Sequence, residues 1–105
     1  MGAVLLAQFS IAPVGKGESL SKYVAEIIDL IDDSGLEYRL GAMSTTVEGD
    51  VDAVFDLIKA CHLRMRLFSR RVTTHIALDD REDALNQLTS KPESVEKKLG
   101  RKIKR

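Results

Sequence analysis

Residues 36–50, LEYRLGAMSTTVEGD, decide the fold. Leu36–Leu40 reads as one short strand and Met43–Glu48 as the next, with Gly41 and Ala42 forming a turn or a bulge between them. Gly49 and Asp50 then open a helix, with Asp50 at the N-cap. Two strands stand back to back here, with no helix between them.

The flanks extend this centre symmetrically. Upstream, Ala3–Ile11 reads as a strand with Leu5, Ala7, Phe9 and Ile11 on one face and Val4, Leu6, Gln8 and Ser10 on the other. Pro13, Gly15 and Gly17 end it. A helix follows, with Ser19 or Gly17 as its N-cap. Leu20, Val24, Ile27 and Ile31 fall on one helical stripe, and Gly35 suits the left-handed position after the last turn. Downstream, Val51, Val54, Ile58, Cys61 and Met65 form the stripe of a second helix, with Phe55 and His62 on a neighbouring flank. Ser69–Asp79 is the clearest strand: Val72, Thr74, Ile76 and Leu78 face one way, Arg71, Thr73, His75 and Ala77 the other. From Pro92 onward, Glu93–Leu99 reads as a short C-terminal helix, weakly marked because it is so polar.

The order strand, helix, strand, strand, helix, strand predicts an α+β ferredoxin-like plait, βαββαβ, a four-stranded antiparallel sheet with two helices on one face. One domain covers residues 1–100, and 101–105 form a basic tail. Such a plait leaves one sheet face bare. Val4 and Leu6 on that face are too apolar for a solvated strand, which predicts a second copy packed against it. The alternative is a central strand that tolerates two apolar faces. Gln8, Ser10, Thr46 and Glu48 share the bare face if Thr45 and Val47 point to the helices. A mostly apolar cleft with such groups suits a small ligand.

Composition narrows the function classes. The chain has 105 residues, with 16 basic and 16 acidic side chains, so no global charge draws it to nucleic acid or acidic lipid. The charge is uneven: residues 91–105 hold seven basic and two acidic side chains, against nine and fourteen in 1–90. The acidic body and basic tail can attract each other within or between subunits; a solvated, mobile tail is the simpler expectation. With five aromatic residues among the 105 and no interleaving with basic ones, a base-stacking platform is missing. The lone Cys61 excludes an internal disulfide. No signal sequence opens the chain, and the apolar run at residues 3–6 cannot span a bilayer, so the expected compartment is the cytoplasm.

Catalytic and metal motifs are weak. The sequence has neither GxGxxG nor GxxxxGK[ST]. Gly15-Lys16-Gly17 offers an anion site at a helix start or, more simply, a flexible turn. Cys61, His62 and His75 do not supply four zinc ligands, and Cys61 on a buried stripe reads as a small hydrophobe. His75 is a polar contact for a ligand or a subunit. Asp79, Asp80, Arg81, Glu82 and Asp83 read as turn capping and ion pairing. Arg71 can pair with Glu48 or hold a ligand oxygen. No metal and no cofactor is implied.

Four segments together carry a resemblance. They are Phe9-Ser10-Ile11-Ala12-Pro13, the helix start Glu18–Val24, the run Tyr38–Gly49 with its Thr45-x-x-Glu48-Gly49, and the strand Arg71–Arg81. On these the chain resembles the small YkoF-like thiamine-binding protein family over roughly residues 3–100. The resemblance implies a ferredoxin-like plait assembled as dimers and dimers of dimers, and a site for thiamine or its hydroxymethylpyrimidine half without known catalysis. Thr45 and Glu48 match the family's motif, and Ser10 and Arg71 its neighbouring strands, so these four are implied as ligand contacts. In that reading Glu48 balances the thiazolium charge or accepts from the pyrimidine amino group, Ser10 and Thr45 serve ring nitrogens, and Tyr38 or Phe9 supplies a wall. Simple alternation sets Glu48 beside Thr46 rather than Thr45, and a bulge or a site at the strand's end reconciles them.

The expected function is therefore non-enzymatic binding of thiamine or its pyrimidine half by a homo-oligomer. The alternatives are a regulatory or scaffold module that binds a protein partner, and an enzyme using Glu48 or Asp79 as base.

Overall fold

A computed structural model describes residues 4–82 and 85–105. Asp83 of the acidic cluster and Ala3 of the first strand lie outside the described residues. The elements in order are β1 (Val4–Pro13), α1 (Ser21–Asp33), β2 (Glu37–Leu40), β3 (Thr45–Asp50), α2 (Val51–Met65), β4 (Val72–Asp80) and α3 (Gln87–Leu99). The four strands form one antiparallel sheet in the order β2-β3-β1-β4, which is the expected plait.

β1 is central, and its inward alternation is as read from the sequence. Leu5, Ala7, Phe9 and Ile11 are buried beneath α1 and α2. Ala7 pairs with Val47 on one side and Leu78 on the other. The small Ala7 lets the helices approach where Ile31, Val54, Cys61 and Met65 close the core, all with no exposed surface.

The helix ends show what local sequence decides. Asp50 caps α2 as expected, its Oδ2 accepting from the Asp52 and Ala53 N–H groups at 3.1 and 3.4 Å. Gly35 takes φ +79°, the left-handed turn after α1. The start of α1 differs from the reading: the helix begins at Ser21, Leu20 holds the N-cap position, and no side chain caps it. Leu20 carries non-helical dihedrals while its carbonyl accepts from the Tyr23 and Val24 N–H groups. Ser19 makes no side-chain hydrogen bond to the helix, whose first turn is closed through the Leu20 carbonyl alone.

The largest difference is α3. It begins six residues before Glu93 and carries Pro92 inside it. Proline lacks an N–H, so it withholds a helical hydrogen bond from the Leu88 carbonyl. The start is fixed from a distance: the Gln87 N–H donates to Glu48 Oε2 at 2.6 Å and the Leu88 N–H to Oε1 at 3.3 Å. Glu48 points away from α1 and α2, so α3 lies on the opposite face, over β3 and β2. The face expected to be bare is thus half covered by the chain's own third helix. Val4 and Leu6 are half-buried, and the uncovered part is the β1–β4 half. The basic tail also departs from a mobile one, since Glu96 accepts from the Ile103 N–H and from Arg105, both at 3.0 Å.

Candidate functional site

The site arises from a mismatch of strand lengths. β1 runs ten residues and β3 six, and their pairing ends at Phe9 opposite Thr45. From Ser10 to Pro13, β1 pairs only with β4. Among the described residues no strand fills the space beside it. The first turns of α1 and the β2–β3 turn border the gap and enclose a cavity of about 190 Å³.

Most of its wall is apolar, with Phe9, Leu20, Val24 and Met43 among the lining residues. Its polar groups are the hydroxyls of Ser10, Ser44 and Thr45. Thr45 is buried beside Phe9, and among the described residues none of the three hydroxyls has a hydrogen-bond partner within the protein. Among the described residues no ionisable side chain lines the cavity. The turn that frames it is tight: the Gly41 N–H donates to the Ser44 carbonyl at 2.9 Å, and a Cβ on Gly41 would stand 2.9 Å from that same oxygen. Only glycine closes the turn without displacing Ser44. Met43 at its tip is 91% exposed, an unbranched apolar side chain free to fold over a ligand.

On the other face of the sheet, Gln8, Ser10, His75 and Ala77 line a wider, open depression, which Met43 and Ser44 also border. Ser10 belongs to both spaces. The β2–β3 turn therefore straddles the end of the sheet and joins a partly open pocket on the helix side to a shallow basin on the uncovered side.

Of the four residues implied by the resemblance, the structure brings Ser10 and Thr45 together. The expected site at a strand's end is where they meet. Glu48 lies on the opposite face, occupied as the cap of α3. Arg71 precedes β4 beside His62, Arg66 and Arg70. Phe9 contributes a wall as expected. Tyr38 does not line the cavity: its hydroxyl donates to Asp32 Oδ1 at 3.0 Å, and this bond together with burial holds the phenol above its ordinary range. Sequence reasoning did not single out Leu20, Met43 or Ser44 as site residues. The adjacent hydroxyls of Ser44 and Thr45, just after a glycine turn, were the available signal.

Among the described residues no group of three or more His, Cys, Asp or Glu is placed to hold a metal ion. Among the described residues no helix is long and apolar enough to cross a membrane.

The model of the thiamine-binding protein family matches residues 7–96. The chain belongs to the thiamine-binding protein family. That match spans every residue lining the cavity and all of the sheet except the first three residues of β1. Relatives agree in length. The UPF0045 protein MJ1052 of Methanocaldococcus jannaschii is 33% identical over 91 residues, covering 87% of this chain and 91% of its own. The UPF0045 protein YqgV of Bacillus subtilis is 35% identical over 100 residues, covering 90% and 96%. The crystal structure of MJ1052 superposes with a TM-score of 0.83 over 89% of this chain and 96% of its own. A Thermotoga maritima protein with a proposed role in thiamine biosynthesis or salvage shares the fold, with a TM-score of 0.72 at 21% identity, covering 84% of this chain and 97% of its own.

Proposed function

We propose that this member of the thiamine-binding family binds thiamine through its hydroxymethylpyrimidine half and does so without catalysis. The observation that carries the proposal is the cavity at the end of β3, about 190 Å³, apolar, and furnished with three unpartnered hydroxyls. A cavity on the order of 150 Å³ holds one aromatic ring, and drug-sized ligands need roughly 300 Å³ or more. One ring enters, then, and the second stays outside. The aminopyrimidine is the half whose nitrogens match Ser10, Ser44 and Thr45. The cationic thiazolium has no carboxylate within the cavity and passes under Met43 toward Gln8 and His75. The absence of an ionisable group from the cavity wall supports binding over an acid–base reaction.

Calorimetry with thiamine, hydroxymethylpyrimidine and the thiazole alcohol tests this. Thiamine and the pyrimidine should bind, and the thiazole should not. Thr45→Val should weaken both by roughly tenfold, the size of one lost hydrogen bond. Flat titrations with thiamine and the pyrimidine overturn the reading.

The same reading makes the protein a cytoplasmic homodimer or dimer of dimers. Its support is twofold: the uncovered β1–β4 half of the sheet, whose open basin a second copy would close, and, on the helix side of the sheet edge, the half-exposed Ile76 and Leu78 of β4. Light scattering after size exclusion should give at least twice the 11.6 kDa chain mass.

A further inference from the structure

The turn from α2 into β4 gathers cations without a counter-charge. His62, Arg66, Arg70 and Arg71 line one basin, with Val72 as its only apolar member. No carboxylate lines it, and among the described residues none of the three arginines makes an ion pair. The contrast lies one turn away, where Arg64 meets Glu26 at 3.1 Å.

The helix end does not account for this gathering. A helix C-terminus favours cations in its last turn, which covers His62 and the C-cap Arg66. Arg70 and Arg71 lie beyond it. In a chain with as many acidic as basic residues, three guanidinium groups around one hollow repel each other unless something neutralises them.

The frame of the basin is fixed. Phe68 turns inward and packs edge-on against Tyr23, with centroids 5.6 Å apart. The Ser69 hydroxyl donates to the Val14 carbonyl at 3.0 Å and accepts from the Arg71 N–H at 3.3 Å. The Val14 N–H donates to the Arg71 carbonyl at 2.8 Å. His62 Nδ1 lies 2.6 Å from Thr74 Oγ1, which fixes the ring and leaves Nε2 for the basin. With Phe68 and Ser69 anchored, the neighbouring arginine stems start from set positions and point to solvent.

We infer that His62, Arg66, Arg70 and Arg71 form a binding site for a phosphate group of a small molecule, separate from the ring cavity. Planar guanidinium forks match phosphate oxygens two at a time, and three of them with an imidazole N–H supply enough donors for a dianion. The group comes from free phosphate or from a phosphorylated metabolite.

Titration followed by NMR, at constant ionic strength held with sodium chloride, tests the site. The probes are inorganic phosphate, pyrophosphate and phenyl phosphate. Saturable shifts should appear at the amides of residues 69–72, the arginine side-chain N–H groups and the His62 ring. A tighter response to phenyl phosphate than to phosphate identifies a phosphorylated metabolite, and the reverse identifies free phosphate. Arg66→Ala with Arg70→Ala should weaken binding at least tenfold while leaving the urea midpoint and thiamine binding unchanged. Shifts that never saturate, or that chloride reproduces, overturn the inference. Tighter binding of a short DNA or RNA duplex than of pyrophosphate, lost in the same variant, overturns it in favour of a nucleic-acid surface.

Discussion

Cys61 shows how one buried side chain sets a pH dependence. It sits on the α2 stripe with no exposed surface, its sulfur 4.0 Å from the Ile27 carbonyl. Burial, opposed by the smaller effect of the Arg64 charge, pushes its thiol up from an ordinary 9.0 to about 11. The unfolded chain therefore loses this proton first. The stability that Cys61 contributes is complete below about pH 9 and falls as the pH rises toward 11. The loss should be on the order of 2–3 kcal/mol, read from urea midpoints and absent from Cys61→Ala. Native protein at pH 8 should also resist alkylation, because the reactive thiolate is scarce and shielded. Labelling as fast as that of a free thiol would contradict this burial. Thr45 makes the opposite use of a buried position: its hydroxyl is kept unpaired at the edge of a cavity, where a ligand can supply the missing bond.

At the scale of elements, α3 is where sequence and structure part. The strands of the sheet and the two core helices were legible because each carries its own periodicity: Leu5, Ala7, Phe9 and Ile11 alternate, and Val54, Ile58, Cys61 and Met65 recur at three and four. The start of α3 was not, because its cap comes from Glu48, 39 residues earlier in the chain. A local rule placed the helix after Pro92, and a distant carboxylate moved it ahead of Pro92. The cavity was illegible for a related reason. It exists because β3 stops pairing at Thr45 while β1 continues, and a strand's partner cannot be read from its own residues. Glu48→Ala should remove the cap at a cost of about 1 kcal/mol and speed hydrogen exchange at Gln87–Lys91, leaving the sheet amides unchanged. Thiamine affinity measured on the same variant separates capping from ligand contact, since the cap alone predicts a small change. Acid should release the same helix by another route. Lys91 holds the Asp79 carboxyl below its usual range, and the Ile103 N–H, then Arg105 and Lys102, do so for Glu96. Both contributions are present above about pH 4.5 and are lost as the pH falls through the lowered values. Exchange in α3 and the tail should therefore rise below pH 4 before the core responds; high salt should advance it through the half-exposed Lys91–Asp79 pair more than through Glu96, whose carboxylate is largely buried.

The whole molecule is more extended than a sphere-like domain of its length. Its radius of gyration is 15.1 Å, against about 13 Å expected for a compact chain of this size. The excess follows from α3, which has no fully buried residue and carries Val95 and Leu99 about half exposed. The other unsatisfied surface is β4. It is nine residues long, it lies at the sheet edge, and only β1 pairs with it. Ile76 and Leu78 face the helix side, yet each stays 46% exposed, because α2 meets β4 mainly where His62 reaches Thr74. A long edge strand without lysine or proline invites pairing with another chain. With fourteen acidic against nine basic residues in 1–90 and seven basic against two acidic in 91–105, a second copy also offers the complementary charge. Replacing both Ile76 and Leu78 with lysine should convert the assembly to an 11.6 kDa species in light scattering. The core beneath α1 and α2 does not depend on those side chains, so the variant should keep the wild-type circular dichroism spectrum. If the wild-type protein is already a monomer at micromolar concentration, the exposed β4 edge is not an interface, and the ring cavity must hold its ligand without help from a second subunit.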